Sequence, residues 1–311
     1  MSNFVLVWVP IANLRREPVE MGSKYTHDEI QLTQVLYNEK LLLKKNERDW
    51  CFVEAVEQKT FKKEKGWQGY PGWIKSSNIV APKEIYTGDE LIIKSKVSPI
   101  YEKPTETSRI ILNLLLGTRL FIAEDMGIDN PADFYNVMLA NGQKGWIKKD
   151  NVFLAKKTLK EKDLRKLIIG IARLFIGTPY LWGGRSINTI ETDIPTGVDC
   201  SGLVNLSYRC VNIDLPRDAR DQWLVSESIF PEQMDEADLI FISEENHPEN
   251  IVHVMLYAGE DILIEAYETG SYVREISFYE RFGLRLSSVK DNTVKIKNRY
   301  IYFKGIKFNE D

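Results

Sequence analysis

Cysteine and histidine are both scarce in this chain of 311 residues, with three of each. Cys51, Cys200 and Cys210 are too few and too scattered for a disulfide framework, and the odd count fits reduced thiols in a reducing compartment. No two of them stand at C-x-x-C spacing, and His27, His247 and His253 are the only imidazoles, so no metal site is expected. Long apolar runs are missing as well. The run Phe4-Val5-Leu6-Val7-Trp8-Val9-Pro10 lacks a basic start and is too short for a secretory signal core with its cleavage site, so it reads as a strand. Nothing approaches the roughly 20 apolar residues of a membrane span. A cytoplasmic protein is therefore expected, with the periplasm or cell envelope as the alternative. Charge of one sign is also lacking: 41 basic against 45 acidic residues leave a net charge of −4, with no basic stripe for nucleic acid.

What is present is enough apolar material, 43% of residues with 11% aromatic, to build two or three ordinary domains. The first half holds a diverged repeat. Ile11-Ala12-Asn13-Leu14-Arg15-Arg16-Glu17-Pro18 answers Val97-Ser98-Pro99-Ile100-Tyr101-Glu102-Lys103-Pro104. Asp49-Trp50-Cys51-Phe52-Val53 answers Asp133-Phe134-Tyr135-Asn136-Val137, and Gly72-Trp73-Ile74-Lys75 answers Gly145-Trp146-Ile147-Lys148. Short β-branched and aromatic runs broken by Gly, Pro, Asn and Asp predict a small all-β barrel in each unit, over residues 1–84 and 85–155. Val53 to Gly72 is 19 positions but Val137 to Gly145 is 8, so the first unit carries about eleven extra residues within Glu54–Tyr70. Such an insertion is either a surface hairpin or a functional loop.

Residues 156–311 change character. Thr158-Leu159-Lys160-Glu161 has the form of a capping box, and Leu164, Leu167, Ile168, Ile171, Ala172 and Phe175 follow at helical spacing until Gly177-Thr178-Pro179. Cys200 opens a second apolar helix running to about Cys210. Strands are predicted at 238–242, 252–257 and 262–266, giving an α+β domain.

A thiol is a useful nucleophile only as thiolate, and a helix N-terminus beside an imidazole favours that anion. Cys200 stands where a loop becomes a helix. His253, on an apolar strand 53 residues on (253 − 200), is the candidate base. Glu265 follows 12 residues later (265 − 253), and a tight turn at Gly259-Glu260-Asp261 would bring it alongside the imidazole to orient it. Taken singly, each has a plain structural alternative: a small buried thiol, a satisfied core histidine, a solvent-facing acid. Cys51 reads as packing, Cys210 lies off the face of Cys200, and His247 reads as an exposed turn residue.

Four runs in order, Gly177-Thr178-Pro179-Tyr180-Leu181-Trp182-Gly183-Gly184, Asp199-Cys200-Ser201-Gly202-Leu203-Val204, Leu215-Pro216-Arg217-Asp218 and His253-Val254-Met255-Leu256-Tyr257, resemble the NlpC-type cell-wall peptidases, a papain-like family. The resemblance covers about residues 160–305. The two preceding units resemble bacterial SH3 domains, so the whole fold is expected to be two SH3-like barrels followed by an α+β papain-like catalytic domain. It implies Cys200 as nucleophile, His253 as base and Tyr180 beside the oxyanion. Glu265 falls at the third polar position, a departure, since that position is usually His and sometimes Asn or Gln. Two SH3 units before the catalytic domain resemble the subgroup that cleaves the γ-D-glutamyl–diamino acid bond of peptidoglycan fragments with a free N-terminal L-Ala. For that subgroup the resemblance implies Asp218 as the amine-binding acid, with Asp199, Ser201, Trp182 and Tyr70 lining the pocket. Tyr70 has an equally simple reading as a barrel-core aromatic, and Glu29 is a further acid without a clean alignment. No cofactor is implied, the partners expected are muropeptides, and the chain is expected to be a monomer. An amidase or acyltransferase on the same scaffold, and a non-catalytic wall-peptide binder, are the alternatives.

Overall fold

A computed structural model describes residues 3–20, 28–83, 86, 88–123, 132–187 and 192–308; His27 lies outside them. The first unit contains β1 (Phe4–Val7), β2 (Ile11–Arg15), β3 (Gln31–Leu36), β4 (Lys40–Glu47), β5 (Trp50–Lys62), β6 (Gly66–Lys75) and β7 (Ile79–Val80), in the order β3-β2-β6-β5-β4-β1-β7. The second contains β8 (Glu90–Ile93), β9 (Val97–Tyr101), β10 (Ile110–Leu115), β11 (Arg119–Ile122), β12 (Phe134–Met138), β13 (Lys144–Lys148) and β14 (Val152–Leu154), in the order β10-β9-β13-β12-β11-β8-β14. Adding seven to each label of the first order gives the second. The repeat in the sequence is thus a repeat in topology, even to register: Val53 pairs with Gly72 as Val137 pairs with Gly145. Period-two alternation turns Cys51, Val53 and Ala55 of β5 inward onto Leu14, Val35, Leu41 and Ile74, while the residues between them stay partly exposed.

The insertion is a continuation of one hairpin. After a register shift between Ala55 and Lys59, β5 and β6 run on through Lys59–Gly69, Thr60–Gln68, Phe61–Trp67 and Lys62–Gly66. Gly66 takes φ +72° at its turn, a conformation that favours glycine.

The last part has α1 (Glu161–Leu174), α2 (Cys200–Arg209), α3 (Ala219–Val225) and α4 (Phe278–Phe282). Its antiparallel sheet contains β15 (Glu227–Ser228), β16 (Leu239–Glu244), β17 (His247–Tyr257), β18 (Ile262–Glu265), β19 (Arg274–Ser277), β20 (Thr293–Ile296) and β21 (Arg299–Gly305), in the order β15-β21-β16-β17-β18-β19 with β20 beside β21. This is the expected α+β segment. The expected capping box is absent: α1 starts at Glu161 with Lys160 as its uncapped N-cap, and Glu161 instead accepts from Arg165 Nε one turn on, at 2.6 Å. Thr158 lies outside the turn it would have to cap. His247 is exposed as expected but opens β17.

All ten residues of α2 are buried, polar ones included. One flank meets the sheet, and the others meet α1 and the two β units. Asn205, Ser207 and Arg209 therefore find partners inside: Asn205 donates to the Leu215 carbonyl at 2.6 Å and Ser207 to the Leu203 carbonyl at 2.8 Å. Arg209 donates to Glu57 of the first unit at 2.6 Å and to the Gly117 carbonyl of the second at 2.8 Å. Arg185 pairs with Glu39, both completely buried. The two ion pairs tie the first part to the third, and the Arg209 bond to the Gly117 carbonyl ties in the second. No helix among the described residues is long and apolar enough to cross a membrane.

Candidate active site

The site is built on the start of α2. Asp199 is its N-cap in extended conformation, accepting from the Gly202 amide at 2.7 Å through Oδ1 and from the Gly183 amide at 3.0 Å through Oδ2. Behind this turn the chain passes so closely that a Cβ on Gly202 would stand 2.3 Å from the Gly184 carbonyl oxygen. Cys200 is the first helical residue, 7% exposed, with the positive end of the helix dipole at its back.

His253 comes from β17. The turn after it has three successive left-handed residues, Gly259, Glu260 and Asp261, with φ of 83°, 50° and 62°. It returns β18 in the register Leu256–Ile264 and Tyr257–Leu263. Continued, that register sets Glu265 diagonal to His253, within reach of long side chains. His253 Nε2 lies 3.0 Å from Glu265 Oε2. An ionised carboxylate only accepts, so Nε2 carries the proton and Nδ1 is left for the nearby Cys200 thiol. Burial alone would depress the imidazole pKa. The nearby Cys200, with the Glu265 carboxylate on the other nitrogen, overcomes it and raises the value to about 9. Glu265 is wholly buried, which alone would raise its pKa. The His253 hydrogen bond and charge, followed by Arg281 and Arg274, hold it at about 2.

Arg217 organises the other side of Cys200. Its guanidinium donates to both oxygens of Asp199, at 3.0 and 2.8 Å, and to Ser201 Oγ at 3.0 Å. Its Nε donates to Thr33 Oγ1 of β3 at 2.6 Å. Asp218 follows, partly exposed, and accepts from the Tyr70 hydroxyl at 3.2 and 3.1 Å. Burial pushes its carboxyl up, against the pull of Arg217. The extended hairpin is pinned here too, since Asp221 of α3 accepts from Thr60 Oγ1 and the Phe61 amide, both at 2.9 Å. The insertion is therefore docked against the third part, and Tyr70, beyond packing, reaches the same cluster.

The structure thus gathers Cys200, His253 and Glu265 on one side, and Asp199, Ser201, Asp218 and Tyr70 on the other. Tyr180 lies between them, close enough to Cys200 that the thiolate, after burial, raises its hydroxyl pKa. Trp182 stands at the rim, 49% exposed. Glu29 is exposed and makes no part of the cluster. A cleft of about 650 Å³ opens along the His253 ring, with Tyr267, Glu268, Arg281 and Lys297 in its wall. Among the described residues no three His, Cys, Asp or Glu side chains are gathered as metal ligands. Sequence reasoning quoted Arg217 inside a motif without giving it a role. Arg274 and Arg281 have no signal in the sequence: strand register sets Arg274 opposite Glu265, and Arg281 arrives from α4.

Residues 177–293 match the NlpC/P60 family. The chain is 28% identical over 238 residues to a γ-D-glutamyl-L-lysine dipeptidyl-peptidase of Bacillus cereus, across 75% of this chain but 66% of that protein's length. It is 28% identical over 253 residues to the protein of the same name from Bacillus subtilis, covering 81% of this chain and 78% of that one. In fold it is similar to the crystal structure of an NlpC/P60 family protein from Bacillus cereus, with a TM-score of 0.72 at 22% identity over 88% of this chain and 94% of the other. The Cys200–His253 pair is seated inside the matched segment, so residues 177–293 form an NlpC/P60 domain that carries a cysteine-peptidase pair.

Proposed function

We propose that the protein hydrolyses the γ-D-glutamyl–diamino acid bond of short peptidoglycan stem peptides with a free N-terminal L-alanine. The observation that carries this reading is the hydrogen bond from Tyr70 to Asp218, at 3.1 Å to Oδ2. It brings a side chain of the first β unit onto an acid able to take an ammonium group, and that acid follows Arg217, which bonds the Asp199 cap of the nucleophile's helix. A site walled at that end favours a peptide that stops there over a chain that continues. The names of the two relatives support the same bond.

In this reading the Cys200 thiolate attacks the γ-carbonyl of the D-glutamyl residue. The amides of Cys200 and Ser201 at the helix start and the Tyr180 hydroxyl donate to the developing oxyanion. The His253 imidazolium protonates the leaving amine, and the neutral ring then takes a proton from the water that cleaves the thioester. Asp218, shaped by Tyr70 and Arg217, holds the α-ammonium of alanine through a charge-assisted hydrogen bond. The two β units serve as bacterial SH3-type modules, the first forming part of the binding site.

The test compares L-Ala-γ-D-Glu-L-Lys with its N-acetylated form and follows products by mass. Release of L-Ala-D-Glu from the free peptide, slowed at least tenfold by acetylation and abolished by Cys200→Ala, is expected. Equal rates on both peptides would overturn the requirement for a free amine. Transfer of the acyl group to an added amine in preference to water would overturn hydrolysis.

A further inference from the structure

Glu265 has more cationic partners than an acid that merely orients an imidazole requires. Arg274 of β19 donates to Oε1 through Nε at 3.1 Å and Nη2 at 2.7 Å, and Arg281 of α4 donates to Oε2 through Nε at 3.1 Å. The latter oxygen is the one His253 uses, so a guanidinium and an imidazole share a single acceptor. The two arginines are fixed in common: their guanidinium carbons lie 4.8 and 4.7 Å from the centre of the Tyr267 ring, which itself meets the His253 ring edge-on.

The electrostatic consequence has a definite sign. A lone buried carboxylate 3.0 Å from His253 would hold the imidazolium so firmly that surrendering its proton to a leaving amine becomes unfavourable. Two guanidinium groups on the same carboxylate draw its charge away from the ring and repel the imidazolium. The group of one acid and two arginines then carries a formal charge of +1 rather than −1. We propose that Arg274 and Arg281 are positioning residues that set how strongly Glu265 holds the His253 proton, keeping the ring able both to keep and to give it up. This rests on the cysteine-peptidase chemistry of Cys200 and His253 and not on which bond is cleaved.

The other charged groups around the ring are Cys200 on its Nδ1 side and, from the cleft, Glu245, Glu268, Glu280, Lys297 and Arg299. Arg299 stands 3.6 Å from Glu245, and Glu280 is held by Ser277 at the start of α4. Three acids against two bases leave these cleft groups one formal negative charge, and none of the five is bonded to Glu265.

The test reads the ion pair without a peptide substrate. Cys200 is alkylated with iodoacetamide across pH, its modification is followed by peptide mass so that Cys51 and Cys210 do not interfere, and the alkaline half-point marks loss of the imidazolium. Arg281→Gln leaves Glu265 freer to hold the proton, so the half-point should rise by about one pH unit. Glu265→Gln leaves two unopposed guanidinium groups beside the ring, so the half-point should fall by at least as much. In the double variant Glu265→Gln/Arg281→Gln it should return toward the wild-type value. Arg281→Lys, which keeps the charge, should stay near wild type. Arg274→Gln should shift as Arg281→Gln does but by less, since its side chain is 42% exposed against 18%. Arg274→Gln and Arg281→Lys also cover the case in which Arg281→Gln does not fold, judged by thermal unfolding. The proposal is overturned if the single Arg and Glu variants shift the half-point in the same direction or not at all, or if the double variant lies no closer to wild type than Glu265→Gln. Because no peptide is cleaved, failure here leaves the substrate assignment standing, and failure of the substrate assignment leaves this result readable.

Discussion

The Tyr70 hydroxyl reaches Asp218 across 148 positions of sequence, from β6 of the first unit to the residue that precedes α3. The bond crosses the junction between a small β unit and the catalytic part, and in the proposed function it makes the first unit a wall of the substrate site. Tyr70→Phe keeps the ring and its packing and removes only the donor. A hydrogen bond to a charged group contributes about 1.5–3 kcal/mol, so kcat/KM for a free-amine peptide should fall roughly ten- to hundredfold. The loss should appear mainly in KM, because the bond shapes binding and does not touch the scissile carbonyl. Steady-state kinetics of wild type and variant on the same dipeptidyl substrate check this, and a fall confined to kcat would contradict it.

Opposite pKa displacements at His253 and Glu265 set a pH window. His253 is raised from 6.5 to about 9, so its contribution to stability is complete below pH 6.5 and lost as pH rises through about 9. Glu265 is lowered from 4.5 to about 2, so its contribution is complete above pH 4.5 and lost as pH falls through about 2. Thermal stability should therefore lose this pair's contribution on both sides of a plateau between about pH 4.5 and 6.5. In His253→Gln the alkaline part of that dependence should vanish. Calorimetry of both proteins from pH 3 to 10 checks the prediction.

Cys200, His253 and Glu265 stand out in the sequence only in combination, a thiol at a helix start with two ionisable side chains on apolar strands, within motifs in family order. The repeat was legible because turn residues and aromatics recur in step, and it reappears as the same strand order twice. What surrounds the site was not legible, because its partners are remote. Thr60 and Asp221 meet over 161 positions, and neither looks unusual among its neighbours. Arg274 meets Glu265 only through the register of β18 and β19, and Arg281 only through the packing of α4 behind that edge. The capping box at Thr158 failed for the reverse reason. The local pattern was present, but Glu161 found a stronger partner in the Arg165 guanidinium, itself bonded to Asp238 at 2.8 Å.

Gly202 has no room for a side chain. A Cβ there would lie 2.3 Å from a backbone oxygen of Gly184 and 3.0 Å from Asp199 Oδ1, and neither can withdraw without breaking the cap of α2. Gly202→Ala should destabilise the fold by about 1–3 kcal/mol through overpacking. It should also displace Cys200, which shares that first turn, so activity should fall further than the unfolded fraction explains. Urea unfolding together with the rate of the remaining folded protein separates the two effects.

Glu39 and Arg185 offer the most severe test of how the first unit is held. Both side chains are fully buried, and Arg185 reaches the acid from the loop that also supplies Gly183 and Gly184 behind Cys200. Gln58 donates to the other Glu39 oxygen at 3.0 Å, and Asn205 of α2 accepts from Arg185 Nε at 2.6 Å. Removing one partner of a buried ion pair leaves an uncompensated charge and costs about 3–5 kcal/mol. Glu39→Ala should lower stability by that amount, while Arg185→Met/Glu39→Met, which removes both charges and fills their volume, should recover much of it. The urea midpoints of wild type, single and double variants decide the matter: a double variant no more stable than Glu39→Ala would mean that the hydrogen bonds to Gln58 and Asn205, rather than the charge pair, hold the junction.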